Sequence, residues 1–215
     1  MAVDFLPQSS LFIGIIPALA LIYLVMRKWT KDFKEKTVFI MFVIGIVSGF
    51  ITVFLELYVN LVNQVEIILL FRLIQLMIIT MVLNLPRLQG KQETVLYGLV
   101  LGLGVGSIYP PVSLLLISAE SVILTDVISI LLGALGLMLL HGATGTLIGY
   151  SIFKRKLFQI FVISLILQFI VQYLFFNLPL AWMWTLSIVG LIVYLVLQKM
   201  ILYGVMEQSV RKKPK

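Results

Sequence analysis

Few side chains in this 215-residue chain can do chemistry. There is no cysteine and a single histidine, His141, set in "LMLLHGATGTLIGY". Without cysteine there is no disulfide, no thiolate metal site and no thiol nucleophile. One imidazole holds a metal only with acidic help. Asp126 lies about four turns from His141 on the same apolar segment, and Glu56 lies on another; neither has ligand spacing to it. No H-E-x-x-H, G-x-S-x-G or Walker pattern occurs. The residues therefore imply no metal and no cofactor. Arg72, in "LLFRLIQL", is the one cation placed deep within an apolar run. An arginine near a bilayer centre costs roughly 2.5–3.5 kcal/mol on insertion scales. It either snorkels to an interface about 10 Å away or pairs with an acid. Glu56, Glu66 and Asp126 all lie toward its side.

The elements that must position these groups are membrane helices. Hydrophobic residues make up 61% of the chain and charged residues 12%, about half the charge of a soluble domain. The expected fold is an all-α integral membrane protein forming a single polytopic domain over residues 1–215. Seven apolar runs are long enough to cross a bilayer: Leu11–Met26, Val38–Leu57, Val65–Leu83, Thr94–Leu116, Ile123–Phe153, Leu157–Phe176 and Ala181–Tyr203. The fifth exceeds the bilayer thickness and must tilt, kink or project.

Of the 16 Lys and Arg, all but Arg72 fall on one side, in or next to alternate connections: "RKWTKDFKEK", "PRLQGK", "KRK", and Lys199 near the end of the seventh run with the tail "RKKPK". The positive-inside rule makes that side cytoplasmic, with the N-terminus outside and the C-terminus, including a basic tail at 204–215, inside. The net charge of +7 is then accounted for by topology and by attraction to anionic lipid head groups, without nucleic acid. The expected location is a cell membrane, most simply a prokaryotic plasma membrane. The aromatic stretch "QYLFFNLPLAWMW" fits an outer interfacial belt.

The glycines of spans 4 and 5 carry a second pattern. Gly98, Gly102 and Gly106 repeat at four residues and share a face. Gly142, Gly145 and Gly149 repeat at three and four and share another. Small residues at this spacing let helices approach closely in lipid, so the two faces are expected to pack in the core with His141 beside them. Pro110 and Pro111 lack backbone donors and are expected to kink or end span 4.

Four segments, "IIPALALIYLVMRKWTKDF", "FIMFVIGIVSGFITVFLE", "NLPRLQGKQETVLYGLVLGLGVGSIYPP" and "HGATGTLIGYSIFKRK", follow one another in an order that resembles the PrsW-like family of intramembrane proteases. That family belongs to the CAAX-protease/Aph-1-type superfamily, and the resemblance covers residues 13–153. The family's Glu-Glu pair falls near Phe71-Arg72, with Gln75 at its lysine. Its Glu-Asn pair falls on Tyr109-Pro110. Only His141 matches. The resemblance thus implies a degenerate member, in which Phe71, Arg72, Gln75, Tyr109, Pro110 and His141 occupy a former catalytic site.

Hydrolysis in a membrane needs a base to activate water and an acid or metal to hold the oxyanion. His141 facing an Arg and a Tyr does not supply both. The expected role is a catalytically inactive scaffold or accessory subunit, whose partners are other membrane protein subunits. Two alternatives stand beside it. One is an active protease with rearranged residues, His141 acting with Asp126 or Glu56. The other is a small transporter or sensor.

Overall fold

The computed structural model describes residues 6–27, 33–59, 64–115 and 124–207; the basic stretch of the C-terminal tail lies outside them. The chain is helical: α1 Leu6–Met26, α2 Glu35–Val59, α3 Val65–Leu83, α4 Glu93–Gly106, α5 Tyr109–Leu115, α6 Leu124–Lys154, α7 Leu157–Asn177 and α8 Thr185–Leu197. A 3-10 turn at Leu180–Trp182 leads into α8, and a π-helical turn at Gln198–Tyr203 continues it. Among the described residues six helical segments are long and apolar enough to cross a membrane, and Phe12–Met26 forms a shorter apolar helix. The protein is therefore a multi-pass helical membrane protein. The first of the seven expected spans corresponds to that shorter helix.

Two helices form the centre. Every side chain of α4 from Thr94 onward is buried, and so is the whole stretch from Leu140 to Gly149 of α6. α4 packs on α6 along the two glycine faces. A Cβ on Gly98 would strike the Gly145 carbonyl, and one on Gly102 the His141 carbonyl. A Cβ on Gly106 would sit 2.6 Å from the Met138 Cα. The expected pairing of these faces is what the fold contains. The opposite side of α4 does the same with α2, where Gly104 lies against Gly45, and Gly49 against Val105. α6 repeats the device with α8 through Gly136 and Gly190. With no solvent-driven hydrophobic force between helices in lipid, such backbone contact is the main source of cohesion.

The long fifth run folds as one unbroken 31-residue helix, about 46 Å at 1.5 Å per residue. The fourth run does break. α4 ends at Gly106, and Tyr109 starts α5 two residues later. Pro110 and Pro111 then fall in the first turn of α5, where an α-helix asks for no N–H. The prolines start a new helix rather than merely ending the old one. The described basic residues of the three connections after α1, α3 and α6 gather at one end of the bundle. Lys34, Arg87 and Lys91 line one cavity there, and Arg155 shares another with Asn84 and Gln89.

A buried polar cluster between five helices

Arg72 sits seven residues into α3 and is fully buried, with 0% of its surface exposed. It does not snorkel. Its Nη2 forms an ion pair with Glu56 Oε1 on α2. Its Nη1 donates to Gln75 Oε1 at 2.6 Å and to the Tyr109 hydroxyl at 2.8 Å. Gln75 lies one turn on from Arg72, so α3 itself supplies the first acceptor. Glu66 is exposed and Asp126 opens α6 about four turns from His141, so Glu56 is the acid that answers Arg72.

Tyr109 is the first residue of α5, and the break after α4 is what turns it inward. Its hydroxyl accepts from Arg72 and donates to Glu56, 3.2 Å from Oε2. Its ring stacks on the His141 imidazole, centroids 5.2 Å apart at 14°, and meets Phe175 edge-on at 6.4 Å. One residue thus bridges both charges and the aromatic floor of the cluster.

His141 Nε2 lies 3.5 Å from Arg72 Nη1. The Gln168 amide nitrogen lies 3.1 Å from His141 Nδ1 and donates to Thr144 Oγ1 at 2.7 Å. An arginine only donates, so contact with Nε2 requires Nε2 to accept. A neutral ring then carries its proton on Nδ1. Gln168 meets that proton with its oxygen when its amide is turned end for end, and the Thr144 hydroxyl then donates to the same oxygen instead of accepting from the amide. The amide oxygen that this brings forward otherwise lacks a partner.

Of the six residues expected in this region, the fold brings four together: Arg72, Gln75, Tyr109 and His141. Phe71 points away, into a small apolar cluster with Ile68 that α7 covers with Phe169 and Tyr173. Pro110 is buried beside Tyr109, but its part is structural: its carbonyl accepts from Ser113 Oγ at 2.9 Å. Three members were not foreseen. Gln168, Gln172 and Thr144 complete the cluster, Gln172 donating to Glu56 Oε2 at 3.4 Å. The signal was present, since Gln168 and Gln172 are four apart in the apolar middle of α7 and must share a face.

One buried cation meets one buried anion, while Arg72 Nε, Gln75 Nε2, Gln168 Oε1 and Gln172 Oε1 are buried without a hydrogen-bond partner among the described residues. Among the described residues no three His, Asp or Glu side chains gather as a metal site would require. Comparison with protein-family models, curated proteins and solved structures yields no match to this chain.

Proposed function

We propose that this is a non-catalytic membrane protein that works by binding, as a scaffold or accessory subunit of a membrane complex. The observation behind this reading is the pairing of Arg72 with Glu56 in a fully buried setting. A general base must be free to take a proton from water. Here the only carboxylate in the cluster is held by a guanidinium, a phenol and an amide. Such a cluster suits a clasp that fixes α2, α3, α5 and α6 in one arrangement. The degenerate PrsW-like pattern agrees, since the Arg and Tyr stand where that family keeps acids. Native co-purification in mild detergent tests the proposal. Partner subunits in fixed ratio are expected, and a protein that runs alone as a monomer contradicts it.

A second reading is supported by one specific contact set. Glu56 and His141, an acid–histidine pair considered for a rearranged protease, both reach Arg72 and Tyr109. Glu56 would act as base, with Arg72 and the Tyr109 hydroxyl facing the oxyanion. Membrane fractions expressing wild type, Glu56→Gln and His141→Ala separate the two readings. A cleavage product that both variants lose would favour the protease, and identical peptide profiles exclude it.

A further inference from the structure

At the basic end of the bundle two cavities share Leu157, one where α3, α6 and α7 end or begin and one along the seam between α3 and α7. The first, of about 210 Å³, carries the polar side chains of Asn84, Gln89, Ser151 and Arg155, with Ile152 and Leu157 forming the rest of its wall. The second, of about 370 Å³, is almost wholly apolar and also touches Leu157. Met77, Thr80 and Met81 face it from α3, and Phe158 and Phe161 from α7. These positions lie one to two turns deeper than Asn84 and Arg155 along the same two helices. The cavity with the polar side chains and the apolar groove are thus neighbours on either side of Leu157. The groove faces outward, with Met81 64% and Phe158 80% exposed.

Arg155 is the only charged side chain lining either cavity, and among the described residues no acid pairs with it. Its backbone is unusual. Arg155 has φ 55 and is the one non-glycine residue with positive φ among the described residues. Lys156 N–H donates to Ser151 O at 2.9 Å, and Arg155 N–H to Ile152 O at 3.3 Å. This pair of bonds is the Schellman closure of α6, and Arg155 stands at the site that glycine ordinarily fills. A left-handed backbone costs an L-residue roughly 1–2 kcal/mol. A cation kept there at that cost, beside a cavity with no counter-charge, points to an anionic ligand.

We propose that the α3–α7 seam holds one anionic phospholipid, its phosphate on the Arg155 guanidinium and an acyl chain in the groove below. The guanidinium fork matches phosphate oxygens, and Asn84, held by Gln89 Nε2 donating to its Oδ1 at 3.0 Å, places an amide at head-group level. The Met and Phe side chains provide an adaptable apolar wall for a flexible chain. Cavities of this composition between membrane helices on the basic side suit acidic head groups.

The protein's own backbone supplies a clean test. Arg155→Gly removes the charge while placing the preferred residue at a left-handed position, so the fold is retained. Purified protein in mild detergent is titrated with phosphatidylglycerol or phosphatidylcholine, and bound lipid is read by native mass spectrometry. Wild type is expected to retain phosphatidylglycerol in preference. Arg155→Gly is expected to bind it about fivefold more weakly, the loss expected for one basic residue near a charged lipid. Its thermal stability without lipid should equal or exceed wild type. Met81→Trp, which fills the groove, should lose both lipids. Equal retention of the two lipids by wild type overturns the proposal, as does unchanged phosphatidylglycerol binding by Arg155→Gly. So does full reproduction of the lipid's stabilising effect by inorganic phosphate, which cannot occupy the groove.

Discussion

Arg72 of α3 and Glu56 of α2 form an ion pair whose side chains are 0% and 2% exposed. Neither charge reaches water, so each depends on the other. Removing one partner leaves an uncompensated buried charge, which costs about 3–5 kcal/mol, whereas replacing both by apolar residues of similar volume is often neutral. Arg72→Met and Glu56→Gln are each expected to lower the detergent unfolding temperature sharply. Arg72→Met with Glu56→Met should recover most of the loss. A double mutant no more stable than either single variant would show that the pair is not the clasp described.

Tyr109 tests the hydrogen bonds apart from the charges. Tyr109→Phe keeps the stack on His141 but removes a hydroxyl that both accepts from Arg72 and donates to Glu56. Buried partners left unsatisfied cost about 1–3 kcal/mol. Tyr109→Phe is expected to lose that much in chemical unfolding, and Tyr109→Ala more, because it also opens a cavity against Phe175. A neutral Tyr109→Phe would mean that the Arg72–Glu56 pair stands without its bridge.

The sequence made the helical class, the glycine faces and half of the cluster readable, and the reasons differ. Gly98, Gly102 and Gly106 declare their face by spacing alone, because a helix repeats every 3.6 residues and small side chains in lipid have few other uses. Arg72 and His141 stand out because polar groups are costly in an apolar run. Their partner was not fixed by such arguments. Glu56, Glu66 and Asp126 lie at similar depths, and only the rotation of α2 about its axis sets Glu56 inward. Phe71 was misplaced for the same reason, since one residue along a helix turns a side chain by about 100°. Gln168 and Gln172 announced a polar face on α7 but not which neighbour it meets.

The glycine contacts differ from one another in a way that mutation can read. A Cβ at Gly102 strikes the His141 carbonyl, which is backbone of a buried helix and cannot yield. Gly204 is also helical, with φ −60 and ψ −39, yet a Cβ there meets nothing within 4 Å. Gly102→Ala is expected to force α4 from α6 and cost about 1–3 kcal/mol or more. Gly204→Ala should be neutral or stabilising by up to about 1 kcal/mol, from helix propensity. Unfolding temperatures of the two variants, measured side by side in one detergent, check the contrast. Equal effects would mean that α4 and α6 are not held in backbone contact.

Membrane orientation is open to direct test because the chain has no cysteine, so any introduced thiol is the sole target. The described basic residues of the connections after α1, α3 and α6 converge on one end of the bundle, where Lys91 is exposed, and Tyr58 at the end of α2 is 91% exposed at the other. If the basic end is cytoplasmic, a membrane-impermeant maleimide added to intact cells should label Tyr58→Cys. It should label Lys91→Cys only after permeabilisation. Both sites lie outside the buried cluster, so the substitutions leave the fold intact. The reverse labelling would invert the topology. It would place Arg155 and its seam in the outer leaflet, where the anionic lipid bound there would have to be drawn from a different pool.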